Sequence, residues 1–234
     1  MNLQTRSTAA ERMDTDCVDF DDYARCLADL AKVNVMTLTH RPLLAWLARE
    51  VRNLPAFSLL DVACGHGDLL RRVRRWSRRR GINATLHGID LNPWSLRCAQ
   101  AATPPEFEIV WHHGDVFAFD PPQRYDFIVS SQFTHHLADA EIPRFLAWME
   151  QYSARGWYIA DLQRHRFAYY GFGLLARTMR WHRFIRTDGQ VSIARGFLPA
   201  EWRGLIGAAG LDAAMVDVRR HIPFRLCVSR RCVR

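Results

Sequence analysis

From Phe57 onward the chain alternates short apolar runs with amphipathic stretches, and that rhythm predicts most of the fold. Ser58 to Ala63 is an apolar run ending at glycines, as a strand buried on both faces would be. Asp68 to Arg80 follows with Leu69, Leu70, Val73 and Trp76 at helical spacing. Thr85 to Asp90 reads as a second strand, and Pro93 opens a second helix. Phe107 to His112 predicts a third strand, Tyr125 to Ser130 a fourth, Ala140 to Tyr152 a helix, and Gly156 to Asp161 a fifth strand. Strict alternation of strand and helix predicts right-handed crossovers and a parallel sheet covered on both faces.

The two ends depart from this rhythm. Residues 1–55 read as helical, with Tyr23, Leu27, Leu30 and Ala31 on one stripe, and Leu43, Leu44 and Leu47 on another that starts near Pro42. Residues 162–198 are rich in aromatics and arginine and read as an insertion, helical around Tyr169 to Trp181. Pro199 to Ala209 predicts a helix stopped by Gly210, and Met215 to Val218 with Phe224 to Val228 a closing pair of strands. No repeat or low-complexity linker divides the chain. We expect one domain: a helical cap (1–55), a core (56–161), an insertion (162–198) and a closing segment (199–234).

Composition narrows the class. The 234 residues are 49% hydrophobic, enough for a full core. No stretch approaches the roughly 20 apolar residues of a membrane-spanning helix. Met1 to Arg12 is polar and lacks the apolar core of a secretory signal, which points to the cytoplasm. Cys17, Cys26, Cys64, Cys98, Cys227 and Cys232 form no C-x-x-C pair, so they read as buried thiols rather than zinc ligands or a disulfide framework.

The charge is uneven. Residues 1–150 hold 17 basic against 19 acidic residues, and residues 151–234 hold 15 against 5. Such an excess suits nucleic acid or an anionic membrane, or is the solvated surface of an arginine-rich chain. The run from Arg71 to Arg80 has helical spacing and predicts an exposed helix face.

The chemistry concentrates where predicted strands end. Asp61, Ala63, Gly65 and Gly67 lie in the first strand-to-helix turn, where glycines let the backbone approach a ligand. A dinucleotide loop would place a third glycine at position 70, which is Leu70. Gly88-Ile89-Asp90-Leu91 ends the second strand with an acid, and Gly114-Asp115-Val116 ends the third in the same way. Ser131 closes the fourth, and His135-His136 follow it.

These elements together resemble the class I S-adenosylmethionine-dependent methyltransferases, whose first motif is commonly D-x-G-x-G-x-G. Gly65 and Gly67 match its last two glycines, and Ala63 departs from the first. The resemblance covers most of residues 57–161. It implies a Rossmann-like, doubly wound α/β fold with a mostly parallel seven-stranded sheet and helices on both faces. The N-terminal helices and the insertion would then cap the acceptor.

It further implies that Asp61, Ala63, Gly65, Gly67, Asp90, Leu91, Asp115, Val116 and Ser131 hold S-adenosyl-L-methionine, with S-adenosyl-L-homocysteine as product and no metal. Asp90 would take the ribose hydroxyls, and Asp115 the adenine amino group. His135 is the candidate general base, with His136 behind it, although H-H-L is also a structural turn in this fold. Asp161 either faces the acceptor or caps the next segment.

No N-P-P-[YF] follows strand four, which argues against amino methylation of nucleobases. The grouped acids of a magnesium-dependent catechol methyltransferase are missing too. Tyr169, Tyr170 and Arg164, in the aromatic insertion, are expected to contact a small aromatic or lipid-like acceptor. A looser likeness, from Met13-Asp14 through Asp161-Leu162-Gln163-Arg164 to Arg220 through Arg225, is to bacterial methyltransferases found with polyketide synthases and flavoprotein oxidases. It favours O-methylation of a phenolic, polyketide or quinone-like acceptor in secondary metabolism. The alternatives are an RNA or protein methyltransferase using the basic C-terminal third, and a non-catalytic scaffold. Nucleic acid is not the expected partner; membrane contact and oligomeric state stay open.

Overall fold

A computed structural model describes residues 3–16 and 19–231, so Cys17 and Cys232 lie outside the described residues. The strands are β1 (Ala56–Val62), β2 (Asn83–Asp90), β3 (Ile109–His113), β4 (Tyr125–Ser131), β5 (Ser153–Leu162), β6 (Val216–His221) and β7 (Arg225–Arg231). They form one sheet in the order β3-β2-β1-β4-β5-β7-β6. The first five are parallel, and β7 runs antiparallel between β5 and β6.

The helices are α1 (Arg12–Thr15), α2 (Phe20–Met36), α3 (Arg41–Glu50), α4 (Asp68–Arg78), α5 (Pro93–Ala101), α6 (Glu141–Tyr152), α7 (Arg166–Thr178), α8 (Arg183–Arg195) and α9 (Pro199–Ala208). Alternate residues of β1 separate two cores, as the two-residue strand period requires. Leu60 and Val62 pack with Phe145, Met149, Trp202 and Ile206 of α6 and α9. Phe57 and Leu59 pack with Trp46 and Leu47 of α3 and Leu70 and Val73 of α4. The doubly wound α/β expectation therefore holds.

Three expectations change. Strand β3 begins at Ile109 because Pro105–Phe107 is a 3₁₀ turn and Glu108 follows with φ 49°. The insertion holds two helices rather than one, parted at Arg180, which has φ 51°. Those helices cross closely: a Cβ on Gly189 would lie 2.0 Å from the Phe172 ring. The arginine run is not one solvated face, since Arg71 and Arg74 are buried. Arg74 donates to the carbonyls of Phe107 at 2.6 Å and Ala84 at 2.7 Å, tying α4 to the sheet edge.

Candidate functional site

The turn after β1 is left-handed at three points: Ala63 (φ 56°), Gly65 (φ 52°) and Gly67 (φ 72°). A Cβ on Gly67 would lie 2.4 Å from Trp111 Cη2, so glycine is needed there for conformation and space alike. Gly65 has nothing within 4 Å of its Cβ position; its N–H donates 2.8 Å to Asp90 Oδ2. Asp90 Oδ1 also accepts from Asn92 N at 2.9 Å. Burial raises the Asp90 pKa, against those hydrogen bonds.

Below this turn lies a cavity of about 190 Å³ lined by Asp61, Ala63, Gly65, Ser131, His135 and His136, among others. Asp61 is 2% exposed, and burial, then the charges of Asp68 and Asp90, push its carboxyl well above the usual range. No cation pairs with it among the described residues. The Ser131 Oγ is buried without a hydrogen-bond partner. A buried carboxyl beside further acids is a place a bound cation would occupy favourably.

Across the cavity, Asp68 accepts from His40 Nε2 at 2.7 Å and Asn34 Nδ2 at 3.1 Å. Burial alone would raise its pKa; the His40 contact outweighs that and holds it at about 2.

His135 is buried, with Nδ1 2.7 Å from Asp161 Oδ1 and Nε2 3.5 Å from Glu11 Oε1. Burial disfavours the imidazolium, but the carboxylates of Asp161 and Glu11 overcome it and raise the pKa to about 9. The two carboxylates thus favour the charged form of a ring that lines the smaller cavity. Asp161 neither faces the acceptor nor serves only as a cap. It takes Thr134 Oγ1 and the His135 N–H, locking the turn after β4.

A second cavity of about 280 Å³ opens next to the first and shares Glu11, Leu30, Asn34, Gln132, Leu162 and Ser192 with it. Its walls are otherwise largely apolar, with Val33, Phe172, Phe184, Ile185 and Phe224 from α2, α7, α8 and the β6–β7 turn. Arg225 lies at its edge, 5% exposed, donating to Gln132, Thr37 and Thr39.

The structure thus gathers Asp61, Ala63, Gly65, Ser131, His135 and His136 around one cavity, with Asp90 one hydrogen bond behind. Leu91, 69% exposed, and Asp115, whose carboxylate accepts from Phe117 N, lie farther along the sheet edge; Val116 is buried in the core.

The three residues expected at the acceptor line neither cavity. Arg164 is buried, its guanidinium spent on the carbonyls of Leu3, Gln4 and Gly196 and on Glu201. Tyr169 and Tyr170 turn away from the cavity, because Phe167, Ala168, Gly171, Phe172 and Leu175 form the lining face of α7. Glu11, Asn34, Gln132 and Ser192 were not foreseen; each stands at the junction of the two cavities.

Residues 59–156 match the family described as methyltransferase domain. Among curated proteins nothing matches the chain. Solved structures share the fold. The magnesium protoporphyrin IX methyltransferase of Synechocystis with bound SAM is 14% identical, covering 97% of this chain and 100% of that one with a TM-score of 0.61. The plantazolicin methyltransferase BpumL in complex with SAH is 14% identical, covering 95% and 93% with a TM-score of 0.63. Human N-acetylserotonin methyltransferase with SAM is 16% identical, covering 91% and 56% with a TM-score of 0.60.

Proposed function

We propose, from the match of residues 59–156 to a methyltransferase domain, that this protein moves a methyl group from S-adenosylmethionine to an oxygen of a small aromatic or lipid-like acceptor. The observation that carries the reading is Asp61: a buried carboxyl, lining a cavity at the glycine turn, with acidic neighbours and no cation of its own. S-adenosylmethionine supplies a cationic methyl donor. Asp61 would hold its ammonium group, the Gly65 turn and Ser131 its amino-acid portion, and Asp90 its ribose.

The larger cavity would take the acceptor. Its Phe and Leu walls exclude water and suit a ring or an acyl chain. Transfer between two bound molecules gains mostly from holding them in line, and the shared wall of Glu11, Asn34, Gln132 and Ser192 is where the two cavities meet. His135, protonated between two carboxylates, is suited to stabilising an acceptor oxygen that is already anionic rather than to removing its proton. A phenolic, polyketide or quinone-like acceptor fits these walls. The structural neighbours are named for a porphyrin, plantazolicin and N-acetylserotonin.

Part of the basic surface that would favour the RNA or protein alternative is engaged internally, while Arg166, Arg177, Arg180, Arg186, Arg203 and Arg220 stay exposed. Arg164 and Arg225 are buried, Arg195 holds the turn after β4, and Arg183, Arg230 and Arg231 pair with Asp22, Glu150 and Glu50. Calorimetric titration with S-adenosylhomocysteine tests the proposal. Micromolar binding is expected, weakened by about 1–3 kcal/mol in Asp90→Ala, the cost of an unmade charged hydrogen bond. A folded, ligand-free protein that shows no heat of binding overturns it.

A further inference from the structure

Glu11, His135 and His136 bring one carboxylate oxygen and two ring nitrogens within 4.8 Å of one another, and we propose that they bind a divalent transition metal ion of the zinc, iron(II) or cobalt(II) kind. Glu11 Oε1 lies 3.5 Å from His135 Nε2 and 3.8 Å from His136 Nε2. Ligand atoms about 2.0–2.2 Å from a metal stand roughly 3–3.5 Å from each other, so the two Glu11 distances need a contraction of at most a few tenths of an ångström, and the two ring nitrogens, within 4.8 Å, close by a side-chain rotation.

The surroundings are those of a metal site rather than of a chance cluster. Metal-binding histidines commonly donate their second ring N–H to a carboxylate, which fixes the tautomer and aims the ligand nitrogen. His135 does this, with Nδ1 2.7 Å from Asp161 Oδ1 and Nε2 turned toward Glu11, and a metal ion entering there displaces the Nε2 proton. Asp161 is itself held by Thr134 Oγ1 and the His135 N–H. Glu11 Oε1 accepts from Ser192 Oγ at 2.7 Å.

The backbone carrying both histidines is pinned as well. Arg195 donates to the carbonyls of His135 at 2.8 Å and His136 at 2.9 Å, and Arg6 reaches those of His135 and Leu137. Two imidazoles and one carboxylate select zinc, iron or cobalt over magnesium and calcium, which prefer all-oxygen cages.

Three protein ligands leave open positions, and the cavities on either side say where they face. All three ligands line the smaller cavity, and Glu11 also lines the larger. A cation here would stand beside the junction and favour negative charge on an acceptor oxygen. That use rests on the methyl-transfer reading above; the binding itself does not.

The test uses chelator-stripped protein without cofactor or acceptor, titrated calorimetrically with zinc chloride and followed spectroscopically with cobalt chloride. One equivalent of zinc is expected, together with visible cobalt absorption of a low-symmetry site. Glu11→Gln and His136→Ala should each weaken both about 100-fold or more, and Asp161→Asn roughly 10–100-fold. His136 is the most exposed of the ligands, 30% at its side chain, so its variant should fold; circular dichroism checks this. Absence of zinc and cobalt binding in the wild type overturns the site, and so does equal affinity in Glu11→Gln and His136→Ala. S-adenosylhomocysteine titrated into the same samples separates the two ideas. Its binding without metal uptake overturns the metal site alone, and metal uptake without it overturns the methyl-transfer reading alone.

Discussion

Asp161 grips His135 from two sides, one carboxylate oxygen 2.7 Å from ring Nδ1 and the other 2.9 Å from the His135 backbone nitrogen. Ring position and loop position are thereby set by a single side chain on β5. Asp161→Asn leaves a buried imidazolium without its main counter-charge. Loss of a buried partner typically costs about 3–5 kcal/mol, so the urea midpoint of the metal-free variant should fall far below that of wild type. An unchanged midpoint would show that the pair is replaceable.

Asp68 gives a pH signature. Its folded pKa of about 2 lies below the ordinary 3.8, because the His40 contact outweighs burial. A depressed carboxylate stabilises the fold above its unfolded pKa, and that stability is lost as pH falls from about 4 toward 2. The advantage of wild type over Asp68→Asn should be about 2 kcal/mol at pH 6 and shrink by about half at pH 3. Urea unfolding at both values measures it; a constant gap would mean that the shift is absent.

The turn after β1 sets up a contrast between two neighbouring exchanges. Ala63 sits at φ 56°, where Ala63→Gly relieves strain of about 1–2 kcal/mol but adds unfolded-state entropy. Stability should therefore change little or rise slightly. Gly67→Ala meets Trp111 at 2.4 Å with φ 72° and should cost about 2–4 kcal/mol. Thermal unfolding of both variants decides, and equal losses would contradict this account of the loop.

Gly171 lines the larger cavity on α7, with nothing within 4 Å of its Cβ position. Gly171→Trp should fill that space. Binding of a ring-shaped probe such as 1-naphthol should weaken at least about tenfold, while S-adenosylhomocysteine affinity stays within about twofold. Equal loss of both would show that the two cavities are not separable.

Position was readable in the sequence wherever a residue sits at or just after its own strand end. The β1, β2 and β4 positions Asp61, Gly65, Asp90 and Ser131 are such cases. Tyr169 and Tyr170 lie off the cavity wall, and a helix in an insertion carries no signal for which of its faces meets the sheet. Arg164 bonds to the carbonyls of Leu3, Gln4 and Gly196, and in sequence such an arginine looks like one awaiting a ligand. Glu11 was invisible for a related reason: its partners His135, His136 and Ser192 lie more than 120 residues away, and nothing in a polar N-terminal stretch marks that meeting.

That distance along the chain bears on how the protein is made. During synthesis the segment around Glu11 emerges long before the surfaces it docks on, which belong to α8 and the end of β5. Ser7 N bonds to the Ala194 carbonyl, and Arg164 reaches back to Leu3 and Gln4. Domains tend to organise as their segments leave the ribosome. Here the glycine turn can form while Glu11 waits undocked, so the junction between the cavities matures after that turn.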